Sequence, residues 1–189
     1  MEEMFKAYLK FCNDDFLYQI FEIVVAEINK RKEKEQKENG KYNFDWNEND
    51  YKTPPVLYEK ALEHWGLDKF DLDTCCTVEN IPAYRYYKFW LNDGLSEDWE
   101  MFNWCNPPFN ECRKWIAKAY LESQKGNKTA MLIPVRTETA YWHEYILHNP
   151  DVKIEWLRKG YKFINRAGEE MGVFKNALAI VYFEGVKQA

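Results

Sequence analysis

From Tyr51 onward the chain alternates segments with helical spacing of apolar residues and short, unbroken apolar runs, and this alternation constrains its fold more than any other feature. Residues 129–134 (TAMLIP) and 177–183 (ALAIVYF) are apolar at nearly every position. Strands covered on both faces have that composition. Residues 55–65, 111–125 and 139–148 read instead as helices. In the second, Trp115, Ile116, Ala119 and Tyr120 share one face, and Gly126 closes it. Thr53 is placed as the N-cap of the first helix, with Pro54 near its first turn. Residues 70–73, 101–105, 152–157 and 161–163 read as further strands. The expectation is an α/β sheet with helices on both faces, with ligands bound beyond the carboxyl ends of the strands.

Residues 1–50 have a different texture. Phe5, Tyr8, Leu9, Phe16, Ile20, Phe21, Val24 and Ile28 fall mostly at three- and four-residue spacings, as one amphipathic helix or two broken near Asn13-Asp14. The run NKRKEKEQKENGK follows as a charged linker ending at Asn39-Gly40. The expected division is an N-terminal helix and linker over 1–50 and the α/β domain over 51–189. The helix is a candidate surface for a homodimer or another partner.

Bulk properties exclude several classes. Five cysteines without a CxxC pair indicate neither a zinc site nor a disulfide framework. The first residues, MEEMFKAYLK, lack a signal peptide's basic-then-apolar order, and no apolar run reaches membrane-spanning length. A cytoplasmic protein with reduced thiols, no metal and no membrane contact is expected. The net charge of −5 has the wrong sign for gripping nucleic acid through broad electrostatics. DNA binding would need a local basic patch.

The residues with the most chemical content are Asn106-Pro107-Pro108-Phe109, directly after the apolar run 101–105. The two prolines fix their own φ and bring no N–H, and Pro107 holds Asn106 extended. A side-chain amide, unpaired carbonyls and a ring two residues on can accept both protons of an exocyclic amine and stack on its base. Asn-Pro pairs also initiate ordinary turns. Four further segments accompany the motif. Thr53-Pro54-Pro55 opens a helix whose N–H groups suit a carboxylate. Asp73, with Cys75, stands where a strand enters a loop and could hold hydroxyl or amine groups. Asp93, in Asn92-Asp93-Gly94-Leu95, could accept from an adenine amine or simply form a turn. Arg136 and Thr137 follow a strand end, where the arginine could meet a phosphate or cap the sheet; His143 reads as a packed surface histidine.

In this order and at these gaps, residues 53–183 resemble the phage-type DNA N6-adenine methyltransferases. The resemblance runs through TPP at 53–55, FDLDTCC at 70–76, Glu79-Asn80, DGL at 93–95, Trp99, WCNPPF at 104–109, LIPVRTETAYWH at 132–143, Lys162-Phe163 and ALAIVYF at 177–183. It implies a Rossmann-like methyltransferase that uses S-adenosylmethionine, with Thr53, Pro54, Asp73, Cys75, Glu79 and Asp93 on the cofactor. It implies Asn106 and Pro107 on the target amine and Phe109 stacked on a flipped adenine, with Pro108 completing the motif. Arg136, Thr137, Lys162, Arg166 and Phe174 are the candidate DNA contacts. A phage-encoded enzyme protecting its genome against restriction fits this reading. An NPP-aromatic site would also accept cytosine N4, an RNA base or a protein glutamine. The acidic charge and the glycine-free loop after Asp73 leave room for a binding protein that keeps only the scaffold.

Overall fold

The computed structural model of the chain describes residues 52–77, 79–88, 93–165 and 168–186. The helix expected over 4–28, the linker after it, Asn92 and Arg166 lie outside the described residues. Those described belong to one compact unit, Trp46–Ala189.

Helix α1 (Pro55–Trp65) is followed by β1 (Phe70–Cys76), β2 (Ala83–Lys88) and β3 (Phe102–Cys105). A 3-10 turn (Phe109–Glu111) leads into α2 (Cys112–Gln124), then β4 (Lys128–Pro134). The short α3 (Ala140–Trp142) runs on as a π-helical stretch, His143–Leu147, before β5 (Val152–Trp156). The chain then forms β6 (Lys162–Ile164), β7 (Glu170–Val173) and β8 (Leu178–Phe183). Six strands make one sheet in the order β2-β1-β3-β4-β8-β5. The first four are parallel, and β8 runs antiparallel between β4 and β5. Strands β6 and β7 pair apart from it as an antiparallel hairpin, which Lys52 joins through Ile164.

The unbroken apolar runs arise because both faces of the central strands are covered. Successive side chains of β4 point to opposite faces. Ala130 and Leu132 pack with Leu57, Ala61 and Leu62 of α1. Met131 and Ile133 pack with Trp115, Ile116 and Ala119 of α2 and with Trp142 and Ile146. Strand β8 repeats the pattern, with Ile180 and Tyr182 toward α1 and Ala179, Val181 and Phe183 toward α2. All six of its residues are buried. This is the expected Rossmann-like α/β sheet.

Several local expectations change. The cap position of α1 is Pro54, with Pro55 at the first helical position and no side-chain cap bond, so Thr53 does not cap the helix. Its hydroxyl is used elsewhere. The first strand extends past Asp73 to Cys76, so Asp73 lies inside a strand and not at a loop entry. Strand β2 was not foreseen; on the sheet edge only Tyr87 of its six residues is buried, so little apolar alternation marks it. Nor was β7, whose glycine-bearing segment reads as a loop because a mostly exposed hairpin strand carries no core pattern.

Candidate active site

Strand order reverses between β1 and β3: β1 continues to β2 on one side and pairs with β3 on the other. In open parallel sheets this switch point leaves a crevice at the carboxyl ends, where ligands bind. Asp73 pairs with Trp104 across it, and the Thr74 hydroxyl donates to the Trp104 carbonyl at 3.2 Å. Asn106 follows at the end of β3. Its amide Nδ2 donates to the Thr53 hydroxyl at 3.1 Å, and Thr53 is only 3% exposed. The Thr53 carbonyl in turn accepts from Asn80 Nδ2 at 3.1 Å. Three segments distant in sequence are thereby pinned together around one amide.

This pairing leaves the amide's other end available. With Nδ2 engaged by Thr53, Asn106 offers Oδ1, which receives no hydrogen bond among the described residues. The Pro107 carbonyl is likewise without a donor among them, whereas that of Pro108 takes the Glu111 N–H at 2.9 Å. Two acceptors one residue apart, on a segment stiffened by two prolines, have the chemistry to accept N–H donors. The Phe109 ring lies edge-to-face with Phe174, centroids 5.5 Å apart, and Phe174 meets Phe163 of the hairpin in the same way at 5.6 Å.

Asp73 lies on β1 opposite Trp104, beside the switch point. It is 3% exposed, and its carboxylate accepts only the Cys75 N–H, at 3.3 Å, among the described residues. Burial pushes the carboxyl up to about 7, with the Cys75 bond opposing. A desolvated carboxylate without a cation beside it is suited to receive one. The Asp93–Gly94–Leu95 turn packs against this region. Asp93 Oδ1 accepts the Leu95 N–H at 3.0 Å, and a Cβ on Gly94 would stand 2.2 Å from the Thr74 carbonyl. Glycine is required there by close approach of two backbones. The buried thiols of Cys76, Cys105 and Cys112 are raised by burial above the usual range, so they remain protonated and inert.

A sheet with acceptors for an amine and a carboxylate for a cation is shared by many group-transfer proteins. The family model described as DNA N-6-adenine-methyltransferase (Dam) matches residues 42–186. The chain belongs to this family. It is an enzyme that methylates the N6 amino group of adenine in DNA. A similar protein, the DNA N-6-adenine-methyltransferase of Haemophilus phage HP1 (strain HP1c1), is 26% identical over 134 residues, or 70% of this chain and 76% of that protein. No solved structure matches significantly.

In the methyltransferase the Thr53–Asn106 bond joins the segment before α1 to the end of β3, and the turn bearing Asp93 packs against β1 at Thr74. Other expected residues differ from these in character. Glu79 is exposed and paired with Lys88 at 2.8 Å. Lys162 pairs with Glu170 across the hairpin at 2.9 Å. Arg136 is exposed, with Glu138 at 3.9 Å, and Thr137 is exposed, its carbonyl taking a His143 ring N–H at 2.8 Å. Pro54 and Pro55 bring no N–H, and Leu57 N–H donates to the Pro54 carbonyl, so the start of α1 has fewer donors for a carboxylate than its position implies. Asn80 is a linking residue whose part in the site could not be read beyond the Glu-Asn pair. Among the described residues no cluster could hold a metal ion, and no helix is long and apolar enough to cross a membrane.

Proposed function

We propose that Asn106 Oδ1 and the Pro107 carbonyl receive the two N6 protons of an adenine turned out of the DNA stack, and that S-adenosylmethionine is the methyl donor. The observation that carries this reading is the Thr53–Asn106 bond, which commits the amide's donor and leaves its acceptor for substrate. Adenine N6 is a poor nucleophile because its lone pair is conjugated with the ring. Two acceptors on the N–H bonds favour a pyramidal nitrogen, with the lone pair freed toward the crevice. No strong base is needed; the work is positioning and charge stabilisation.

Bound S-adenosylmethionine supplies an electrophilic methyl group. The residues present fit it: buried Asp73 lacks a cation and takes the amine, while Asp93, Cys75 and the Thr53-Pro54 segment border the same crevice. Glu79 contributes only if its pair with Lys88 opens. Phe109, with Phe174 behind its edge, offsets part of the few kcal/mol that unstacking a base costs. Arg136 and Thr137, after β4, and Lys162, on the hairpin, would meet the phosphates. The phage origin of the similar protein supports a role in marking a phage genome against restriction.

The test is transfer of a labelled methyl group to unmethylated duplex DNA, followed by hydrolysis and identification of the nucleoside. Wild-type protein yields N6-methyladenine, and Asn106→Ala lowers the rate by on the order of 10². Near wild-type turnover by that variant refutes the role given to the amide.

A further inference from the structure

An acidic methyltransferase must still hold a polyanion, and the distribution of unneutralised cations indicates how. Most lysines and arginines on the body of the domain are spent. Lys60 pairs with Glu155, Lys118 and Lys125 with Glu122, Lys153 with Glu184, and Arg85 with Glu100. Lys69 and Lys128 lie over the rings of Tyr84 and Phe102. Lys52, Arg113, Arg158, Lys159 and Lys175 meet neither a carboxylate nor an aromatic face among the described residues.

Topology puts all five at one end of the sheet. Lys52 precedes Thr53 and bridges to Ile164 of the hairpin. Arg113 is the second residue of α2, just past the Asn106–Phe109 motif. Arg158 and Lys159 follow the carboxyl end of β5. Lys175 follows Phe174 and precedes β8, whose first residue, Leu178, pairs with Pro134 at the end of β4. Of the acids here, Glu170 pairs with Lys162 and Glu111 with Lys114, while Glu169 accepts an Asn165 Nδ2–H and keeps its charge. Glu138 has only the distant Arg136. At this end Trp156 is also 56% exposed, with its ring stacked on buried Trp142 at 6.0 Å.

We propose that Lys52, Arg113, Arg158, Lys159 and Lys175 form a phosphate-binding rim that seats a DNA duplex across the carboxyl ends of the strands, with Trp156 as an apolar contact on its β5 side. The inference rests on the catalytic reading above, since it places the duplex over Asn106. From β3 to β5 is three strand spacings, about 14 Å at ~4.8 Å each. That span matches about four base-pair steps at ~3.4 Å. The rim thus contacts backbone on one side of the flipped base, and gives affinity without reading sequence.

The test measures the affinity of a fluorescein-labelled 24-base-pair unmethylated duplex from about 50 to 300 mM salt, with unfolding melts as the check on folding. Each phosphate contact contributes ~0.9 to the slope of log affinity against log salt, so Arg158→Ala/Lys159→Ala lowers the slope by about 2 and the affinity roughly 10-fold. Arg158→Lys/Lys159→Arg retains both, and Lys153→Ala, which removes a paired cation at the other end, changes neither. An unchanged slope in the alanine double variant overturns the rim. So does an equal loss in Lys153→Ala, which reduces the effect to net charge, or a loss seen with duplex RNA but not with DNA. Wild-type protein that binds DNA through the rim without methylating it would instead overturn the catalytic reading and leave the rim standing.

Discussion

Replacing Asp73 with asparagine separates what the crevice costs the fold from what it provides to the ligand. Burial raises this carboxyl from 3.8 to about 7. Below about pH 4 the folded and unfolded chains both hold the proton. Between about 4 and 7 only the folded protein holds it, so stability falls as pH rises, and above 7 the loss is complete. At about 1.4 kcal/mol per pH unit the apoprotein gives up about 4 kcal/mol by pH 8. The asparagine of the variant carries no charge but buries an –NH2 without a designed partner, costing about 2 kcal/mol. The net expectation at pH 8 is a stabilisation of about 2 kcal/mol, or ~4–8 °C in Tm for a domain of this size. The advantage disappears near pH 5, where wild-type Asp73 is itself largely protonated. Calorimetric or fluorescence melts at pH 5 and pH 8 read this directly. Added S-adenosylmethionine should raise the wild-type Tm at pH 8 and leave that of Asp73→Asn nearly unmoved, because the cation's partner is gone. A variant no more stable than wild type at pH 8, or one that keeps the full ligand-induced shift, refutes the reasoning.

Two further perturbations test the pins of the site. Thr53→Val removes the hydroxyl that fixes the Asn106 amide while keeping the buried shape; kcat should fall about 10-fold, as for one lost hydrogen bond of ~1–1.5 kcal/mol, and Thr53→Ser should restore it. A Thr53→Val enzyme with unaltered kcat in single-turnover methylation would leave the bond without a catalytic role. Gly94→Ala puts a Cβ 2.2 Å from the Thr74 carbonyl, so the turn bearing Asp93 must move, at a cost of about 1–3 kcal/mol. Weaker S-adenosylmethionine binding in titration calorimetry and a lower melting temperature are expected, and wild-type values for both would show that the contact yields freely.

What the sequence disclosed follows burial. Strands β4 and β8, covered on two faces, announce themselves by continuous apolar runs, and the residues after β3 by their prolines. Strand β2 and the β6–β7 hairpin have exposed sides, so little in their composition reports pairing. Thr53 was legible as a residue of consequence for the wrong reason: capping is a local rule, whereas its real partner lies 53 positions away. The raised Asp73 carboxyl was invisible because desolvation depends on what the rest of the fold packs around it. The cations proposed for the rim were hidden for a related reason, since only the partners decide which ones remain unneutralised.

Strand β8 carries a consequence for synthesis. It sits between β4 and β5, hydrogen-bonded to both, yet leaves the ribosome after every other strand of the sheet. Until it arrives, β4 and β5 present open, apolar edges to each other and to neighbouring nascent chains. A chain cut short before Leu178 therefore loses the strand that joins β5 to the rest of the sheet, and not a dispensable margin. Such truncations should be recovered as aggregates rather than as shortened enzymes. The topology makes the arrival of β8 a condition for having a closed methyltransferase sheet.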